Sequence, residues 1–377
     1  MRQASQGSQC LAPCHHGDCR PTGRSRRRIF GVEAIGRAAR TRRISWVTGL
    51  LLLAIALTNC GGQGANSSTP PSPSPEPRSV SLNLVATLAV GSKPWSVAVD
   101  PGTNRIYVAN EADRTVSVID GASDTVVATI PAGEWPWTVA VNPNTHRVYV
   151  ANVVDNTLSV IDGASATLTA TVAVGNRPRG VTVDVETNRV YVANTDDATV
   201  SVIDGASNEV VGNIPVGKDP WDLAVNPGTG RVYVANAQSF TLSVIDAATE
   251  SVVATVPVGD APHAVAVNPE TNRVYVANAE SASVSVIDGA SNKVVTTIPV
   301  GVAPLSVAVD PNTDLIYVAN GVDNSLSIID GTNDTVAGTV PVSRMPWAVA
   351  VNPSSSRIYV ARRGNNTVSV FDLLPHP

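Results

Sequence analysis

Cysteine is absent from this 377-residue chain after Cys60. The four cysteines, Cys10, Cys14, Cys19 and Cys60, precede everything that looks folded, so neither disulfides nor thiolate ligands can hold the remainder together. Aromatic residues make up only 4%, which leaves Val, Ile and Ala to build the core. Catalytic signatures are also missing. There is no HExxH, no Gly-rich phosphate loop and no CxxCH haem site. Gly121-Ala122-Ser123-Asp124-Thr125 lacks the closing glycine of a nucleophile elbow. Basic charge is short where the chain is most regular. Residues 79–377 carry 15 Lys and Arg against 28 Asp and Glu, whereas residues 1–78 carry 11 against 3. The acidic part repels nucleic-acid phosphates, so no nucleic-acid partner is expected.

What the chain does have is a period. Tyr107, Tyr149, Tyr191, Tyr233, Tyr275, Tyr317 and Tyr359 each open a Tyr-Val-Ala run, always 42 residues apart, and they account for all 7 tyrosines. A fixed period of about 40 residues marks a repeat architecture. Within one period, Trp95–Asp100, Arg105–Asn110, Thr115–Asp120 and Thr125–Ala132 are apolar, Val- and Ile-rich runs bounded by Pro, Gly, Asn and Asp. Each reads as a strand. Ile106 beside Tyr107 and Val148 beside Tyr149 make a strand apolar on both faces, which fits a sheet stacked between two others. Four-stranded sheets stacked radially are propeller blades. The ends complement each other: Leu84–Val90 matches the fourth run, and the chain finishes on Thr367–Asp372, a third run. Pairing them predicts an all-β, seven-bladed propeller of four antiparallel strands per blade, with an N-terminal strand completing the last blade. It also removes two strand edges. A solenoid of hairpins is the rival, and it would leave both ends uncapped.

The repeated Tyr-Val-Ala-Asn followed by Val-Ser-Val-Ile-Asp-Gly resembles the YVTN-family propeller repeat of bacterial and archaeal surface proteins. Ala109 and its equivalents stand where that motif has Thr, and the last copy ends on Arg362. The resemblance covers about 290 residues and implies the fold. Related seven-bladed folds include lactonases and quinoprotein dehydrogenase subunits, so it does not imply one function.

The N-terminal region divides into an Arg-rich leader (1–43), an apolar segment (44–60), a Gly/Ser/Pro linker (61–78) and the propeller (79–377). Arg40, Arg42 and Arg43 precede an uncharged run of about 14 residues, shorter than the ~20 of a spanning helix. The run ends in Leu57-Thr58-Asn59-Cys60. This layout is similar to a bacterial lipoprotein signal peptide, with lipidation at Cys60; Asn59 departs from the usual small residue. An uncleaved anchor and an ordinary signal peptide are the alternatives. All three place the repeats outside the cytoplasm, periplasmic or at the cell surface, with a membrane as partner through the anchor. Cys10, Cys14, His15, His16 and Cys19 lie close together, but no small folded module surrounds them, so no metal is assigned there. The leader is long and unpatterned, and translation is expected to begin downstream, near Val32.

Comparing the copies separates scaffold from variable positions. The turns after strands one and three barely change, and Asp120, Asp162, Asp204, Asp246, Asp288, Asp330 and Asp372 recur in the latter. These carboxylates are expected to accept backbone hydrogen bonds within their turns rather than to hold an ion. The tyrosine hydroxyls are expected to bond between blades. On the other face, Pro94 and its six equivalents are followed by Trp95, Trp137, Arg179, Trp221, His263, Leu305 and Trp347. These side chains are expected to rim the channel mouth. Trp95, Trp137, Arg179, Trp221, His263 and Trp347 are the candidate ligand-binding set, for a protein, peptide or glycan; packing of the Trp side chains between blades is the structural alternative. No catalytic residue, cofactor or metal is assigned. A lactonase-like alternative would use Asp219, Asp222, Asp260 or Glu134 on a channel metal. A structural surface-layer role is the third reading.

Overall fold

The computed structural model describes residues 78–374. The leader, the apolar segment with Cys60, and residues 61–77 of the linker lie outside the described residues. The described part forms 28 strands and one short 3-10 turn, arranged in seven four-stranded antiparallel sheets. Blade 1 holds β2 (Pro94–Asp100), β3 (Arg105–Asn110), β4 (Thr115–Asp120) and β5 (Thr125–Pro131), from the innermost strand outwards. Blades 2 to 6 repeat it as far as β25 (Thr335–Pro341). Blade 7 holds β26 (Pro346–Asn352), β27 (Arg357–Arg362) and β28 (Thr367–Leu373), with β1 (Leu82–Ala89) as its outermost strand. β1 pairs antiparallel with β28 from Leu82 opposite Leu373 to Ala89 opposite Thr367. The propeller predicted from the sequence, including its closure, is the fold.

The core lies between blades. Tyr107 and Ala109 face blade 2, where they meet Val139, Val148, Val150 and Ile161. Ile106 and Val108, one step out of phase, face Tyr359 and Ala361 of blade 7. Period-two alternation thus gives each second strand two buried faces, and all seven tyrosines are almost fully enclosed. The expected inter-blade hydroxyl bond exists at Tyr107, whose Oη donates to the Gly163 carbonyl at 3.3 Å. Tyr149, Tyr233, Tyr275 and Tyr359 depart from that expectation: their hydroxyls have no partner. The carbonyls of the corresponding turns also accept from the arginine two residues before the tyrosine, Gly163 from Arg105 and Gly205 from Arg147.

Two turn types define the two faces. On the scaffold face, six of the seven Asp residues at the ends of third strands cap their turns as expected, whereas Asp372 accepts from Arg357 Nε at 3.1 Å. Asp120 accepts from the Ala122 N–H and the Ser123 hydroxyl, and Asp204 from the N–H groups of Ala206 and Ser207. These bonds hold both carboxyls below the usual range. A second ring joins neighbouring blades: Asn142 Nδ2 donates to Asn188 Oδ1, Asn226 to Asn272, and Asn352 to Asn104 across the closure, each at 2.8 Å. On the opposite face, the connections between strands two and three and between successive blades differ from copy to copy.

Candidate functional site

The seven positions after the recurring proline share one backbone irregularity. In blade 1 the ladder pairs Pro94 with Asn110 and Ser96 with Ala109, leaving Trp95 opposite nothing. The same register shift passes over Trp221, His263, Leu305 and Trp347, and over two residues each in blades 2 and 3. A bulge re-aims its extra side chain. Because the innermost strands surround the axis, all seven side chains turn toward it.

There they meet, rather than rimming an open mouth. The Trp95 ring lies 3.6 Å from Trp137 and 4.2 Å from Trp347, centroid to centroid. Trp221 lies 4.2 Å from His263 and 6.1 Å from Trp137. The indoles are long enough to cross the narrow space between innermost strands, so the expected concave rim is corrected to an axial cluster. Trp95 and Trp347 are buried at 8% and 4% exposure, and Arg179 and Leu305 are buried with them, whereas Trp137, Trp221 and His263 keep part of their surface open.

Two guanidiniums stack on the cluster. Arg179 sits 3.8 Å from the Trp221 ring centroid and 5.3 Å from that of Trp137. Its counter-charge is Asp219 at 3.5 Å, and burial brings its pKa down to about 10 despite that carboxylate. Arg363 lies 4.8 Å from the Trp95 ring and donates to the buried Glu111 at 3.1 Å. His263 Nδ1 donates to the Leu305 carbonyl at 2.8 Å. Burial drives the His263 pKa down to about 3, outweighing that bond, so the ring is neutral at pH 7 and its Nε2 is a free acceptor.

The cluster borders a cavity of about 80 Å³, lined further along the innermost strands by Ser96, Thr138, Asp222 and Ser306. That space is large enough for a few waters. It falls well below the roughly 300 Å³ where small-molecule pockets begin. Asp222 is the one ionisable group among those four. Its Oδ2 accepts from the Val265 N–H of the next blade at 3.0 Å, and Ser96 and Ser306 accept from Val139 and Val349 in the same way. Burial raises the Asp222 carboxyl to about 6 in spite of its backbone bonds. The other carboxylates of the lactonase-like alternative do not join it: Glu134 pairs with Arg114, Asp219 pairs with Arg179, and Asp260 is exposed. Among the described residues no three His, Cys, Asp or Glu side chains converge at metal-ligand spacing.

Trp135 escaped the sequence reading. It stands on the variable face two residues before Trp137, partly exposed, with φ of 57°. A left-handed backbone is uncommon for so bulky a side chain; the other six blades adopt it at the same position with Lys93, Arg177, Asp219, Ala261, Ala303 and Met345. The signal was the Trp-Pro-Trp spacing, which occurs in one copy only.

Residues 81–209 match the family described as lactonase, 7-bladed beta-propeller, and residues 181–258 match YNCE-like beta-propeller. No curated protein matches the chain at a significant level. Among solved structures, a chain of Kuenenia stuttgartiensis hydrazine synthase superposes with a TM-score of 0.69 at 19% identity, over 75% of this chain and 96% of that one. At that identity the likeness concerns the fold alone.

Proposed function

We infer that this chain is an exported, YVTN-type propeller that binds a macromolecular partner through its variable face, held at a bacterial membrane by a lipid on Cys60. One observation carries the reading: four tryptophans, a histidine and two stacked arginines gather on the only face where the repeat loses its symmetry. Trp and Arg dominate binding hot spots because they offer large, stiff contact areas. The axial cavity is too small for a drug-sized ligand, so the partner is a protein segment, peptide or glycan lying across the cluster. The edges of Trp137, Trp221, His263 and Trp135 are its contacts. Peptide and glycan arrays probed with wild type and with Trp137→Ala/Trp221→Ala test the reading. Wild type is expected to select a ligand that the variant, still folded, loses. Absence of any selected ligand counts against it. Metabolic labelling with a palmitate analogue tests the anchor, and Cys60→Ala is expected to abolish the label.

The lactonase-family match over residues 81–209 favours a second reading, a metal-dependent lactone hydrolase with Asp222 in the channel. Elemental analysis of protein purified without chelator separates the two. A stoichiometric divalent ion, lost in Asp222→Asn, supports hydrolysis.

A further inference from the structure

Six blades end their second strand on a fully buried Asn: Asn110, Asn152, Asn194, Asn236, Asn278 and Asn320. In each, the amide donates to a Ser or Thr pair on the third strand, as Asn110 does to Thr115 and Ser117 at 3.2 and 2.9 Å. Each Asn also fills the space over a glycine 19 residues earlier. A Cβ on Gly91 or Gly301 would come within 2.6 Å of that Asn side chain. Blade 7 changes both members together, to Arg362 and Ser343. The two now bond to each other, Arg362 Nη1 to Ser343 Oγ at 2.5 Å, and Arg362 Nη2 reaches Thr87 on β1 at 3.3 Å. Thr367 and Ser369, which an Asn would have engaged, are left with unpartnered hydroxyls, as is the Arg362 Nε.

Arg362 is therefore a charge at 6% exposure, and no carboxylate pairs with it among the described residues. Burying a cation without a counter-charge is costly, and burial lowers its pKa. A guanidinium has five N–H donors, and the two hydroxyls take only two. The group borders a groove of about 500 Å³ between blades 6 and 7, walled by Leu82, Leu84, Val340, Val342 and Phe371. That volume lies within the range of small-molecule sites. Leu84 is half exposed, so the groove opens to solvent. A groove at blade 3 has about 410 Å³ but is lined by Gly175, Asp197 and Asn213, with no cation.

We propose that the groove at the closure seam binds an apolar monocarboxylate, its carboxylate on Arg362 and its chain along Leu82, Leu84 and Phe371. The carboxylate supplies the missing counter-charge, accepts the free guanidinium donors, and takes the unpartnered hydroxyl of Ser369, which lines the groove, as a further donor. This site lies at the outer edge of the ring and is separate from the axial cluster. The test is calorimetric titration of the purified full chain with decanoate and, in parallel, with decanol. The control is Ser343→Gly/Arg362→Asn, which restores the arrangement of the other six blades and so keeps the fold. Decanoate is expected to bind wild type at least about tenfold more tightly than decanol, a preference the control loses. Equal affinity for the two probes, retention of the preference in the control, or no decanoate binding to folded wild type would overturn the proposal.

Discussion

The two faces of the propeller are made by the same strands, yet they obey different rules. On the scaffold face the turns repeat almost unchanged, because each polar side chain either closes its own turn or holds the blade beside it. Asp120 caps its own turn, and Asn226 reaches Asn272 in the next blade. A change in one copy would break a bond made in another. On the variable face the Pro and the bulge persist, but the residue they aim at the axis is free to differ. The comparison separates two kinds of demand. Regularity marks positions that answer to a neighbour, and variation marks positions that answer to the axis or to solvent.

If that division is right, breaking each face should give a different readout. The largest loss of stability is expected from Trp347→Ala, since that indole is nearly enclosed; about 3 kcal/mol or more in chemical denaturation is the expected cost. Trp137→Ala should cost clearly less, and equal costs would contradict the partition into buried and partly open members. Asn226→Ala on the scaffold face should cost about 1–2 kcal/mol by removing one inter-blade bond, with no change in any ligand selected on the arrays.

The pH response should be milder. The folded-state pKa of Asp222 is raised to about 6, so its contribution is full below its unfolded value, near 3.8, and is lost as pH rises through 6. His263 runs the other way: its contribution is full above 6.5 and is lost as pH falls toward 3. Between pH 4 and 6 the two oppose each other. Asp222→Asn should therefore raise Tm at pH 8 by about 2–4 °C, and the gain should vanish by pH 4. A gain independent of pH would rule out titration as its cause. Smallest of all, Trp135→Asn should be neutral or stabilising by up to about 1 kcal/mol, because Asn tolerates the left-handed backbone. A loss of partner binding alongside that gain would place Trp135 in the interface.

The fold was readable because its determinants are local and recur. The 42-residue spacing, the Asn-Pro and Asp-Gly turns, and the match of Leu84–Val90 to a fourth strand need no knowledge of distant contacts. The axial cluster was only half readable. Its members stood out by breaking the repeat at one position, but nothing in the residues reveals a bulge, and convergence depends on how far the innermost strands stand apart. Arg362 was visible as a departure. Its partner Ser343 was not, since the pair lies 19 residues apart and only packing shows that a Cβ and an Asn cannot share that space.

The direction of β1 has a mechanical consequence. Leu82 lies opposite Leu373, at the scaffold end of blade 7, and the Arg78 guanidinium donates to Thr313 in a scaffold turn. The chain thus enters from the face that carries no aromatic cluster. A pull on the segment before residue 78 would load the Arg78 and Val80 bonds to blade 6 first, and then the β1–β28 ladder from its scaffold end, one rung at a time. The strand that closes the ring is therefore also the strand that would carry the load.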